Sequence, residues 1–181
     1  TISDFNKLPI PFRAVATDIV NGKIVVLDNG SLATAMRASM SLPGVFSPVP
    51  YKNTLLIDGA ILNNFPVDVA KDLGADIIIG SDVGDGMMKK DELENISSLL
   101  FQAGMLSSHL INSKNRELCD ILINHTEHLT FGTSDFQRSN QIFTEGKMGV
   151  KDNLSELVKL SKRLKPYYQK KAKLPFVREE L

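Results

Sequence analysis

Asn21-Gly22 stands between two short β-branched runs, residues 12–20 (FRAVATDIV) and 23–27 (KIVVL), and it narrows the folds open to this chain more than any other feature. Both turn residues tolerate the positive φ that a two-residue hairpin needs, so the flanking runs are expected as antiparallel neighbours. Asp28-Asn29-Gly30 closes the second run, and Ser31 is placed to cap a helix over 32–39 that Leu42-Pro43-Gly44 stops. Residues 54–57 (TLLI) then form a short apolar run ending at Asp58-Gly59-Ala60, and Pro66 opens a helix to about residue 73, with Gly74 behind it. Residues 76–80 (DIIIG) are continuously apolar, as in a strand covered on both faces of a parallel sheet.

Downstream, Leu93, Ile96, Leu99, Leu100, Ala103, Leu106 and Leu110 recur at helical spacing over 92–111, and the stripe is expected to pack on a sheet. The competing role for that stripe, a membrane-surface helix, lacks the lysines and arginines expected on its polar face. Residues 118–124 read as a further strand and 135–152 and 154–168 as helices. Strands alternating with helices predict an α/β layered fold, a central mostly parallel sheet flanked by helices. Its domain portion is expected over 1–152, with a basic helical tail or linker over 153–181. From residue 159 onward eight lysines and arginines face only Glu179 and Glu180, whereas the chain as a whole balances 21 basic against 21 acidic residues.

That balance removes the driving force for broad nucleic-acid binding, while the basic tail permits contact with an anionic lipid surface. A single cysteine, Cys119, excludes an internal disulfide and a cysteine-based zinc cluster. No run of about 18 apolar residues is present to span a bilayer. With 43% hydrophobic and 23% charged residues, the 181-residue chain is composed like an ordinary globular domain.

In open α/β sheets chemistry collects at the carboxyl ends of strands, where Asp18, Asp58 and Asp82 all fall. Asp58 has the most suggestive setting, because Gly59 after it allows a sharp turn and a close approach by another group. The ordered segments FRAVATD (12–18), ASMSLPGVFSPV (38–49), IDGAILNNFPV (57–67) and GADIIIGSDV (74–83) resemble the patatin-like phospholipase family. The resemblance is dense over residues 10–85 and thin to about residue 152.

What the resemblance implies is a serine lipid acyl hydrolase with a Ser–Asp dyad, needing no histidine, metal or organic cofactor. The family's catalytic aspartate maps onto Asp58, the general base. Gly59, Pro43, Phe46 and Asn63 are the candidate substrate contacts. For Phe46, with Leu42 and Val45, core packing is the alternative to lining an acyl pocket, and Asn63 alternatively shapes the turn behind Asp58. His109, His125 and His128 lie outside the matched segments and are expected at the surface or in packing.

The departure from the family is large. No Gly-x-Ser-x-Gly occurs: the only glycines four apart, Gly80 and Gly84, enclose Asp82. The chain is therefore expected to be the C-terminal part of a patatin domain, incomplete at its N-terminal side and inactive alone. Ser39, Ser41 and Ser81 should be inert toward esters. The expected partners are a phospholipid or other lipid ester, a peripheral membrane surface, and either the missing N-terminal half or further copies. The compartment is not fixed by the residues; a bacterial-type cytoplasm or cell envelope is the expectation. The alternative function is a non-catalytic patatin-like pseudo-enzyme or lipid-binding module.

Overall fold

The computed structural model describes residues 2–84, 86–132 and 135–171, which form two compact units: residues 2–80 with 84 and 86–120, and residues 81–83 with 121–132 and 135–171.

In the first unit β1 (Ala14–Asp18) and β2 (Lys23–Leu27) form the hairpin that Asn21-Gly22 predicts, with Ala14 opposite Leu27 and Asp18 opposite Lys23. The connection takes four residues, 19–22, and not two: Asp18 and Lys23 are the last pair, the Gly22 amide donates to the Asp18 carbonyl (2.9 Å), and Gly22 takes a positive φ of 64°. A second hairpin joins β3 (Val49–Tyr51) to β4 (Thr54–Asp58), and β4 lies antiparallel on the other side of β1, giving the order β2-β1-β4-β3. Every pairing in this four-stranded sheet is antiparallel, where the sequence pointed to a mostly parallel one. The four-residue loop 19–22 and the two-residue turn 52–53 permit only antiparallel neighbours, since a parallel pair needs a crossover of a dozen residues or more.

One such crossover exists. Strand β5 (Ile79–Asp82) pairs with β6 (Ile121–Asn124), and the long helix α4 (Ile96–Glu117) lies between them in sequence. The amide of Asp120 donates to the Ile78 carbonyl (2.9 Å) and that of His125 to the Asp82 carbonyl (2.9 Å). Both strands advance in the same direction between those bonds, so this pair is parallel. The fold is α/β, with an antiparallel sheet of two hairpins joined through β1 and β4, followed by one parallel β-α-β unit.

Helix α1 (Leu32–Ser39) begins at Ser31, whose side chain accepts from the Thr34 amide, and its Ala35 and Ala38 enter a core with Phe5, Ala14, Ala16, Leu27 and Leu56. Beyond Asp58 come a single turn of helix, α2 (Ala60–Asn63), and α3 (Val67–Asp72), both in contact with α4.

Helix α4 is reversed relative to expectation. Ile96, Leu100 and Leu110 of its apolar stripe are 75%, 68% and 68% exposed, whereas Ser108, Asn112 and Asn115 are buried. The backbone between α2 and α3 carries polar groups that no regular hydrogen-bond ladder satisfies, and it needs side-chain partners. The polar stripe of α4 supplies them, so that face turns inward and the leucines turn out. No helix among the described residues is long and apolar enough to cross a membrane.

The second unit holds β6, α5 (Ser139–Asp152) and α6 (Leu154–Lys171). Helix α5 closes on the end of β6 through glycine: a Cβ at Gly149 would lie 2.8 Å from His125 Nδ1 and 3.0 Å from the Asn124 carbonyl oxygen. The basic tail is helical through Lys171, and residues 172–181 lie outside the described residues, as does Asp85.

Asp18 is structural. Its buried carboxylate accepts from the Val20 amide (3.1 Å), the Asn21 amide (3.0 Å), the Asn21 side chain (2.8 Å) and the Thr54 hydroxyl. Chiefly the Thr54 hydrogen bond, against the cost of burial and with help from Asn21 and Val20, holds its pKa down at about 2. A depressed carboxylate contributes stability that is present above its unfolded value of 3.8 and is lost as pH falls through the folded value. Asp18→Asn is therefore expected to lower the denaturant midpoint at pH 7, with the difference from the parent chain shrinking between about pH 4 and about pH 2. Chemical denaturation monitored by circular dichroism across that range measures it.

Gly59 marks the tightest strand contact at the site end of the sheet. It has an ordinary right-handed φ of −63°, so it is glycine for space and not for conformation. A Cβ there would lie 2.4 Å from the Val15 carbonyl oxygen and 2.8 Å from its carbon. Both are backbone atoms of β1 that cannot swing aside. Gly59→Ala is expected to cost about 1–3 kcal/mol, the range for overpacking, read as a drop in midpoint at unchanged slope.

Candidate active site

Asp58 closes β4 opposite Ala16 of β1, and its backbone amide donates to the Ser41 carbonyl (3.0 Å). The side chain is half-buried. Its Oδ1 accepts from the Ala60 amide (2.8 Å), the first turn made possible by Gly59, and Oδ2 has no partner among the described residues. Burial pushes the Asp58 carboxyl above the ordinary carboxylate range, and the Ala60 N–H draws it part of the way back. A carboxylate with one oxygen fixed, the other unengaged and its basicity raised is equipped to accept a proton.

Ser41 belongs to the structure and not to the chemistry. It is fully buried, its hydroxyl donating to the Arg37 carbonyl (2.6 Å) while the Arg37 guanidinium donates to it. The same guanidinium reaches the Ser47 carbonyl (3.1 Å) and stands 5.0 Å from the centre of the Phe46 ring. Arg37 thus braces the 41–47 loop, which leaves the sheet beside Asp58 through the Ser41 carbonyl.

The other sequence-derived contacts divide. Pro43 and Phe46 are exposed on that loop, Phe46 at 42%. Gly59 is buried against β1. Asn63 is buried with both ends of its amide engaged internally: Nδ2 donates to Asp68 (2.8 Å) and Oδ1 accepts from Asn115 (3.2 Å). Asn63 thus shapes the turn behind Asp58, one of the two roles the sequence left open for it. Sequence reasoning missed the partners on α4, because a polar stripe on a helix with a strong apolar stripe reads as its solvent face.

Asp82 closes β5 at the carboxyl end, where the sequence placed it, and is buried there. Beside it in the second unit, Ser81 Oγ lies 3.0 Å from His125 Nε2, a pairing that nothing in the sequence spacing announces. His125 is buried, and its Nδ1 faces the Gly149 position of α5 with no hydrogen-bond partner among the described residues. A base that activates serine needs its far nitrogen oriented by an acceptor, which also stabilises the imidazolium. No such acceptor meets Nδ1 among the described residues, so the Ser81–His125 contact lacks that part of a triad. His128 pairs with Asp152 at 2.5 Å, a surface contact as expected.

Comparison with known proteins falls on the part of the chain that builds the Asp58 turn. Residues 3–71 match the family model described as patatin-like phospholipase. Mouse patatin-like phospholipase domain-containing protein 7 is 44% identical over 77 residues, 41% of this chain and 6% of that protein. An uncharacterised NTE family protein of Mycobacterium bovis is 42% identical over 83 residues, 43% of this chain and 23% of its own length. Mouse patatin-like phospholipase domain-containing protein 6 is 42% identical over 77 residues, again 6% of that protein. The match thus spans under a quarter of each of these relatives. It takes in β1, the 41–47 loop, β4 with Asp58-Gly59, and α2, so the similarity to the patatin-like phospholipase family rests on residues 3–71 of this chain.

Proposed function

We propose that this chain carries the general-base half of a serine lipid acyl hydrolase, with Asp58 as the base and the nucleophilic serine contributed by a stretch of polypeptide outside these 181 residues. The observation that carries the proposal is the state of Asp58: half-buried at the end of β4, its pKa raised by burial, one oxygen held by Ala60 N–H and the other unengaged. The match of residues 3–71 to the patatin-like phospholipase family model supports a lipid ester as the substrate class.

In the proposed reaction the serine hydroxyl gives its proton to Asp58 Oδ2 as its oxygen bonds to the ester carbonyl carbon. Backbone N–H donors hold the oxyanion. Asp58 then returns the proton to the departing alkoxide. Water then gives a proton to the same carboxylate as its oxygen bonds to the acyl carbon, and Asp58 passes that proton to the departing serine oxygen, releasing the carboxylic acid and restoring both groups. A serine hydroxyl is far less acidic than any carboxylic acid, so transfer has to be concerted with attack, and a raised pKa at Asp58 narrows the gap.

Asp58→Asn keeps the acceptor for Ala60 N–H and removes the basicity. In the polypeptide that includes the nucleophile, it is expected to lower ester turnover by about 10²-fold or more. Parent activity should rise as pH climbs through the elevated Asp58 pKa. Turnover retained within about threefold would exclude the general-base role of Asp58, whereas no ester turnover in the parent polypeptide itself would leave a lipid-binding module. The substitution has a second expected effect. A carboxyl with a raised folded pKa favours the fold below its unfolded value of 3.8 and loses that contribution as pH rises, so the ionised form weighs against the fold at neutral pH. Asp58→Asn should accordingly raise the denaturation midpoint at pH 7, an advantage that closes below about pH 4.

The chain by itself should resist a fluorophosphonate serine probe. Mass spectrometry showing stoichiometric addition, at Ser81 above all, would contradict the assignment of the nucleophile to another segment.

A further inference from the structure

Helix α2, between Asp58 and α3, is a single turn of four residues, too short to hold itself against fraying. Its first end is fixed by the sheet: Gly59 is wedged against the Val15 carbonyl, and the Gly59 carbonyl accepts from the amides of Leu62 (3.1 Å) and Asn63 (2.8 Å). Its far end runs into Asn64-Phe65, irregular backbone whose polar groups have no ladder to join.

Three side chains one helical face apart on α4 meet that backbone. Ser108 Oγ accepts from the Asn64 amide (3.0 Å), Asn112 Oδ1 accepts from the Phe65 amide (3.0 Å), and Asn115 Nδ2 donates to the Phe65 carbonyl (2.7 Å). Asn115 also donates to Asp68 Oδ1 (3.0 Å) and Asn63 Oδ1 (3.2 Å), and Asp68 Oδ1 receives the Asn63 side chain (2.8 Å) and the Val69 amide (2.9 Å). The seam is dry: Ser108, Asn112 and Asn115 are 0%, 8% and 3% exposed. Hydrogen bonds in such surroundings are costly to leave unmade, which makes the arrangement specific as well as stable. Phe65, held on both sides of its peptide, sets its ring where Gly80 leaves room: a Cβ at Gly80 would lie 2.6 Å from Phe65 Cζ and 2.6 Å from Cys119 Sγ.

We infer that Ser108, Asn112 and Asn115 are positioning residues for Asp58. By clamping the far end of α2 they keep the Ala60 N–H on Asp58 Oδ1, and so keep Oδ2 free and correctly aimed. The clamp touches neither the carboxylate nor any substrate. Its catalytic meaning rests on Asp58 acting as the base; its mechanical meaning does not.

Ser108→Ala tests this on the chain as it exists, because it removes one acceptor and leaves the shape of the core. Amide hydrogen exchange followed by NMR compares Ala60, which Ser108 does not touch, with Val15 and Ala16 in β1. The expected result is a rise of about fivefold to tenfold at Ala60, the worth of one hydrogen bond, against little change in β1. Asn112→Ala should act in the same way. Equal change at Ala60 and in β1, or no change at Ala60, would overturn the inference, since a seam that merely stabilises the fold moves all of these amides together. In the polypeptide containing the nucleophile, Ser108→Ala should lower kcat by about threefold to tenfold with KM unchanged; a rise in KM at constant kcat would also count against positioning. If Asp58→Asn leaves turnover intact, the catalytic role of Asp58 falls, and the exchange result still decides whether the seam holds the turn.

Discussion

The pairing of β4 with β1 governs the rest of the Asp58 turn. Because the strands run antiparallel with Ala16 opposite Asp58, the next residue is forced under the Val15 carbonyl, and only glycine fits the space. That approach lets the chain turn immediately into α2, and the turn delivers the Ala60 amide to the carboxylate. Basicity follows from the same geometry. The carboxyl is desolvated enough to lift its pKa, yet one hydrogen bond keeps it oriented. A second donor on Oδ2 would have pulled the pKa back and occupied the oxygen that a proton needs.

Helix α4 shows how unpaired backbone can outweigh hydropathy. Leucines and an isoleucine make its most apolar stripe, yet a serine and two asparagines face inward, because the Asn64-Phe65 peptides are buried and need partners. An unmade hydrogen bond there would cost about 1–3 kcal/mol. That is of the same order as burying a leucine, so the inward polar face is a competitive solution and not a defect. The consequence is a helix whose outer surface is apolar, against the ordinary pattern for a domain of this size.

Local structure was legible wherever the chemistry is local. Asn21-Gly22 specified the β1–β2 hairpin, Ser31 the start of α1, and the apolar run 54–57 a strand ending at Asp58. The direction of the sheet was misjudged because a continuous apolar run such as DIIIG speaks only for its own strand; β5 is parallel to β6 while the other four strands are antiparallel. The family segments located Asp58 and Gly59 and the adjacent Ala60 amide, but not the close approach of the Val15 carbonyl, which comes from a strand distant in sequence. The α4 seam was not legible, because Asn63 and Asn115 meet across 52 positions and periodicity assigns polar residues to solvent. Ser81 and His125, 44 positions apart, were hidden for the same reason.

The central claim is physical: burial at the end of β4 makes Asp58 a stronger base than an ordinary aspartate. Carbon-13 NMR titration of the Asp58 carboxyl in the intact chain measures it directly, with Asp58→Asn used to assign the resonance. The account predicts a pKa above the unperturbed 3.8. A carboxyl titrating at or below that value would mean a solvated or multiply hydrogen-bonded side chain, and would contradict the account.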